Sequence, residues 1–145
     1  MDFFSAMDIS ASALTAERTR MNLISSNLAN ANSTKTAEGG PYKRKDALFT
    51  AVPIQNGFSN RLSDAVRQNS RGVQVTQIVE DQNPPRMQYD PTHPDADAQG
   101  YVTLPNVNVV EEMADMIAAT RAYEANVNAT QAAKAMATKT LELLR

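Results

Sequence analysis

Residues 106–145 read NVNVVEEMADMIAATRAYEANVNATQAAKAMATKTLELLR. Val109, Met113, Met116, Thr120, Tyr123, Val127, Thr130, Ala137, Leu141 and Leu144 recur in alternating steps of four and three, with Lys134 near the same seam. That spacing is the heptad of a coiled coil. The start is marked as well. Pro105 precedes Asn108, and Glu111 stands three residues on, an Asn-x-x-Glu variant of the capping box. The stretch holds ten alanines, so much of the circumference is small and lets another helix approach closely.

The N-terminal end carries a matching stripe. Phe4, Met7, Ala11, Leu14, Met21 and Leu28 recur at steps of three, four or seven, interrupted by Arg18 and Ser25. Every Gly and every Pro lies between residues 39 and 105, so both ends are free of the strongest helix breakers. Helices of about 28 and about 36 residues would be roughly 42 and 54 Å long. Two such rods bury one narrow seam, a weak core by itself. The pattern therefore predicts a mainly α chain whose terminal helices pair as a coiled coil and are completed by neighbouring copies or partners. Residues 1–36 with 106–145 form the helical domain in this reading, and 37–105 an extended region.

Within that middle, Val73–Val79 is β-rich and partly alternating. Asp81-Gln-Asn-Pro-Pro85 is a turn, after which Met87-Gln-Tyr89 is expected to return as its partner strand. Ala47–Val52 is a second strand candidate, cut by Pro53, and the polar residues 56–72 read as a variable loop.

The 145 residues suffice for one ordinary domain. A net charge of −2 argues against a nucleic-acid surface, which calls for a basic excess. No window approaches the roughly 18 apolar residues of a lipid-spanning helix. The start, MDFFSAMDIS, lacks the basic flank of a cleavable secretory signal, and the absence of Cys calls for no oxidising compartment.

Little in the chain resembles catalytic or metal chemistry. Asp95, Asp97, Gln99 and Gly100 match half of an EF-hand loop, but the closing position is Asn106 rather than Glu, and Pro91 and Pro94 stand where a helix belongs. A turn in which Asp caps its own backbone is the better reading. His93, the only histidine, would share a zinc site with Asp95 and Asp97 across Pro94, whereas zinc ligands usually come from separate elements. Glu111 and Glu112 read as helix N-terminal charges. Tyr42-Lys-Arg-Lys45 is too short for a nucleic-acid patch and reads as a solvated strand face or an interface charge. Asn32 and Asn128 head chance glycosylation patterns. No cofactor and no catalytic residue is expected.

Residues 24–36, ISSNLANANSTKT, are rich in poor helix-interior residues. Asn27, Asn30 and Asn32 suit bonds to backbone and to neighbouring subunits where the first helix unwinds, with Leu28 as apolar anchor and small Ala29 and Ala31 between them. Together with Met7, Leu14, Met21, Val109, Met113, Met116, Ile117, Tyr123, Val127, Leu141 and Leu144, they make the expected assembly interface.

Ser25-Ser-Asn-Leu-Ala-Asn-Ala-Asn-Ser-Thr34 resembles the N-terminal motif of the flagellar rod, hook and hook-associated axial proteins. Gly39-Gly-Pro-Tyr-Lys43, Gly100-Tyr-Val-Thr-Leu-Pro-Asn-Val-Asn-Val-Val-Glu-Glu-Met113 and Met116-Ile-Ala-Ala-Thr-Arg-Ala-Tyr-Glu-Ala-Asn-Val127 are similar to its proximal-rod branch. The likeness covers roughly 1–55 and 73–145 and leaves out 56–72. It implies a structural subunit of the rod, the drive shaft across the periplasm, exported by the flagellar type III apparatus without a cleaved signal. It further implies partners: other copies, other proximal-rod proteins, the rod adaptor FliE, distal-rod proteins and the rod cap. A helical adaptor of a secretion or flagellar assembly, another axial subunit, or a wall hydrolase are the competing readings. For the hydrolase the residues offer no catalytic constellation.

Overall fold

The structure is a computed structural model that describes residues 3–37, 39–53 and 71–143. The elements, in order, are α1 (Phe3–Ala29), β1 (Lys45–Pro53), β2 (Arg71–Glu80), β3 (Arg86–Tyr89), β4 (Tyr101–Leu104) and α2 (Val109–Leu143). Helices of 27 and 35 residues make the chain mainly α, with extended structure between them. The variable loop expected at 56–72 lies outside the described residues as far as 70; Arg71 and Gly72 begin β2.

Chain contacts divide the protein into two units. One comprises residues 1–19, 49–76 and 119–145, the other 20–48 and 77–118. In the second unit a core forms from Ile24, Ala31, Val102, Leu104 and Val107, with Pro105, Asn27 and Glu112 fully enclosed. In the first, the buried hydrophobic residues among those described are Ala16, Ala119 and Ala133. There, Ser12 Oγ donates to the Ile9 carbonyl at 2.7 Å and accepts the Val73 N–H at 3.1 Å, and the Thr50 and Thr76 hydroxyls bond at 3.0 Å.

Both helix ends follow from local chemistry. At the end of α1, Asn30 sends its backbone N–H (3.1 Å) and its side-chain Nδ2 (2.9 Å) to the Ser26 carbonyl. Such competition for a helix carbonyl stops propagation. Ala31 N–H then reaches Leu28 O at 3.3 Å, a tightened last turn. At the start of α2, Asn108 Oδ1 accepts the Val110 N–H at 3.2 Å, as an N-cap should.

The heptad of α2 is rotated from its expected phase. Glu112, Met116, Ala119, Tyr123, Asn126, Thr130, Ala133 and Ala137 form an unbroken row of buried or half-buried residues. It shares Met116, Tyr123, Thr130 and Ala137 with the sequence pattern but replaces the alternate positions by the residue before each. Met113, 52% exposed, gives way to Glu112. A seam selects side chains that fit as well as apolar ones. Here Ala119 and Ala133 permit close approach where bulkier or charged groups would not. In α1 the buried positions are likewise Ala16, Ile24 and Asn27, while Met7, Leu14, Met21 and Leu28 are half-buried.

Strand pairing corrects one expectation. β3 pairs not with β2 but antiparallel with β4, in the register Arg86↔Leu104 to Tyr89↔Tyr101, and β2 pairs with β1. Pro84 and Pro85 cannot donate to a ladder, so the chain leaves the edge of β2. It is turned back instead at 90–100. Asp97 Oδ1 accepts the N–H groups of Gln99 (2.8 Å) and Tyr101 (2.9 Å), and Gly100 adopts a φ of 83°. A Cβ on Gly100 would lie 2.9 Å from Tyr89 Cε2, so only glycine admits the Tyr89 ring there. The EF-hand-like stretch is thus a self-capped turn.

Candidate assembly joint

The polar stretch that ends α1 does not remain at the surface. Asn27 is 1% exposed, and every hydrogen-bonding site of its side chain is used. Nδ2 donates to the Lys45 carbonyl at 2.9 Å and to Glu112 Oε2 at 3.1 Å. Oδ1 accepts the Lys45 N–H at 2.9 Å and the Tyr42 hydroxyl at 3.0 Å. The amide therefore bonds both backbone groups of Lys45, as a neighbouring strand would. It starts β1 against the last turn of α1 and ties both to the first turn of α2.

Glu112, also 1% exposed, is the second centre. Its Oε1 accepts Arg44 Nε at 2.6 Å, a short charge-assisted bond. Arg44 in turn reaches Asp46 Oδ2 at 3.2 Å. Burial works against the Arg44 charge, but its bonds and attraction to Glu112 and Asp46 outweigh this and raise its pKa. Two turns back along α1 and one turn on along α2, Arg20 and Asp115 pair at 3.9 Å. With 20 facing 115 and 27 facing 112, α1 and α2 run in opposite directions within this unit.

A second tie holds the chain leaving α1. Asp95 accepts Thr34 Oγ1 at 2.7 Å and pairs with Lys35 Nζ. Those bonds, from Lys35 first and Thr34 second, hold the Asp95 carboxyl below the usual carboxylate range. His93 Nδ1 accepts the Asp95 N–H at 3.1 Å, so the histidine supports this turn. Among the described residues no group of three or more His, Cys, Asp or Glu is placed to hold a metal ion.

The expected interface residues separate into three groups. Asn27 is enclosed in the joint. Asn30, Met7, Leu14, Met21, Leu28, Met116, Tyr123 and Val127 are half-buried. Asn32, Val109, Met113, Ile117 and Leu141 are exposed, and Leu144 lies outside the described residues. Asn32 and Val109 border a groove of about 410 Å³ that Arg86 and Asn106 also line. Sequence reasoning missed Tyr42, Arg44 and Glu112. Glu112 had one usable signal: the row through Met116, Ala119 and Tyr123, run back one turn, lands on it. Nothing in YKRK distinguishes Arg44 from Lys43 and Lys45, whose side chains pair with Glu80 instead.

Comparison with known proteins gives this arrangement its context. Residues 7–35 match the family described as "Flagella basal body rod protein", and residues 98–143 match "Flagellar basal body rod FlgEFG protein C-terminal". The matched segments contain Asn27 and Glu112. Similar full-length relatives include the flagellar basal-body rod proteins FlgC of Borreliella burgdorferi, 41% identical over 100% of this chain and 99% of the relative, and of Bacillus subtilis, 43% identical over 99% of each. The Escherichia coli O157:H7 protein of the same name is 40% identical over 99% of this chain and 98% of its own length. Likeness of that extent, end to end, shows that the chain belongs to the FlgC family of flagellar basal-body rod proteins.

Proposed function

We propose that this chain is a structural subunit of the proximal rod of the bacterial flagellum, and that its long helices form the wall of a hollow shaft that transmits torque. The observation that carries the reading is the joint: one buried amide and one buried carboxylate fasten both helices to the start of β1. A shaft subunit needs its helices held at a fixed angle to whatever projects from them, and directional polar bonds resist shear better than a sliding apolar seam. The family is one of structural proteins, not of enzymes.

The segments 1–36 and 106–145 pack as a coiled coil, in this proposal, against the corresponding helices of neighbours, and 37–105 form the part that projects. Neighbours are other copies, other proximal-rod proteins, the adaptor FliE, distal-rod proteins and the rod cap. The subunit leaves the cytoplasm through the flagellar type III export apparatus without a cleaved signal and ends in the periplasmic section of the basal body. No helix among the described residues is long and apolar enough to cross a membrane.

Deleting the gene and isolating basal bodies tests this. Loss of motility with basal bodies that stop before the distal rod, restored by the intact gene, is the expected result. Full motility, or basal bodies that lack the chain in the wild type, overturns the reading.

A further inference from the structure

β3 has one free side. All four of its residues are exposed, and its sheet has only two strands, β3 and β4. The Asp90 N–H donates to the Gly100 carbonyl at 2.9 Å, just beyond the Tyr89↔Tyr101 pair, so the N–H and C=O groups of Tyr89 and Tyr101 point away from each other. By alternation the same holds for Met87 and Thr103. At Tyr101 these groups are taken: its N–H donates to Asp97 Oδ1 and its carbonyl accepts the Asp97 N–H, both at 2.9 Å. On the other side, no hydrogen bond among the described residues engages the N–H and C=O groups of Met87 and Tyr89. The same two side chains, 60% and 64% exposed, share the outer face of the sheet with Tyr101, opposite the buried Val102 and Leu104.

We propose that the free edge of β3 pairs antiparallel with β3 of a second copy of this chain, joining two hairpins into one four-stranded sheet. The edge is complementary to itself in one register. With Gln88 opposite Gln88 of the other copy, Met87 lies opposite Tyr89, and the outward groups of both residues meet in four hydrogen bonds. A shift of one residue sets outward groups against inward ones. A shift of two sets Tyr89 opposite Pro85 or Met87 opposite Pro91, which have no N–H to give. The chosen register also sets Arg86, exposed and in no ion pair among the described residues, opposite the Asp90 carboxylate, twice over. On the outer face it lays each Met87 against a Tyr89 ring. The same prolines stop the pairing from extending, so the product is a closed dimer rather than a fibre. A two-fold contact cannot repeat along a shaft whose copies all point one way, so the dimer belongs to copies outside the rod. That placement rests on the rod-subunit reading; the contact itself does not.

The protein contains no cysteine, so one introduced thiol reports one position. The purified full-length Gln88→Cys protein is oxidised mildly and the disulfide dimer is followed on non-reducing gels. Position 88 faces itself across the two-fold axis with Cα atoms about 4.5 Å apart, inside disulfide reach. Position 87 faces 89 and is out of reach of itself, so the 88–88 product of Gln88→Cys should form at least about tenfold faster than the 87–87 product of Met87→Cys. Adding Arg86→Glu to the Gln88→Cys chain sets like charges opposite each other twice and should slow its product about tenfold. Adding Met87→Pro instead removes an outward N–H that β4 does not use, and should slow the product as much with the thermal midpoint of the dilute protein unchanged. Equal rates at 87 and 88, or a rate at 88 indifferent to Arg86→Glu, overturn the contact and leave the rod reading standing. Basal bodies isolated from Gln88→Cys cells should contain the chain without the 88–88 product; finding that product there overturns the placement outside the rod. Basal bodies that lack the chain, with fast 88–88 coupling in solution, overturn the rod reading and uphold the contact.

Discussion

The two units of this chain spend their residues differently. Residues 20–48 and 77–118 enclose a mixed core in which an asparagine and a glutamate are the largest fully buried side chains along with Pro105. Among the described residues, 1–19, 49–76 and 119–145 bury alanines as their hydrophobic side chains, and expose Met136 (65%), Leu141 (69%) and Leu143 (88%) on one helix. Large apolar groups left in water gain stabilisation on contact with something else, and both units carry them: Val110, Met113 and Ile117 in one, Met136, Leu141 and Leu143 in the other. The difference is that one unit also encloses a polar joint that fixes its elements, and the other encloses small side chains.

Breaking the joint should have the largest effect on the isolated protein. Asn27→Ala leaves both backbone groups of Lys45 and one oxygen of Glu112 without their partner; at about 1–3 kcal/mol for an unsatisfied buried group, a loss of about 3–4 kcal/mol is expected in urea unfolding. Arg44→Met removes the cation from buried Glu112 and should cost about 3 kcal/mol. The double variant Arg44→Met with Glu112→Leu should cost less than Arg44→Met alone, because no charge is then stranded. A double variant as unstable as the sum of the singles would contradict the pairing.

A smaller loss is expected at the turn. Gly100→Ala puts a Cβ at a φ of 83° and against the Tyr89 ring, for about 1–2 kcal/mol, read as a lower thermal midpoint. Acid should act on the neighbouring tie. Asp95 titrates below its ordinary 3.8 in the folded chain, so its contribution is present above that value and is lost as pH falls through the lowered one. Asp81, held down by the Asn83 backbone N–H, and Asp90, held down by Thr92, add in the same direction. Asp95→Asn should therefore flatten, without abolishing, the fall in thermal midpoint between pH 5 and pH 2, limits chosen to bracket ordinary carboxylate titration. The smallest change in stability belongs to the other unit. Leu141→Asp should shift unfolding by less than about 0.5 kcal/mol, because the side chain is already in water, yet exclude the protein from basal bodies in a pull-down of tagged rods.

The long helices were legible because heptad spacing and the confinement of Gly and Pro to 39–105 are properties of the chain itself. So were the strand at Val73–Val79 and the turn at Asp97–Gly100, where local side chains dictate local backbone. The helix phase was not. Hydrophobicity favours Met113 over Glu112, and what reverses that order at the start of α2 is the pairing of Glu112 with Arg44 and Asn27. Arg44 and Tyr42 were equally hidden, since what distinguishes them is a carboxylate and an amide 68 and 15 residues away. Asn27 was readable as a joint but not as an enclosed one: its partners proved to be Lys45, Tyr42 and Glu112 of its own chain.

Hydrogen exchange of the backbone amides compares the two units most directly. In the isolated chain, residues 24–31, 42–46 and 110–116 should exchange slowly, and residues 125–143 quickly. In isolated basal bodies the second set should slow by at least about tenfold while the first changes little, the pattern of a pre-formed joint and a face covered by assembly. Equal protection of both segments in the isolated chain, or fast exchange around Asn27 and Glu112, would contradict the account.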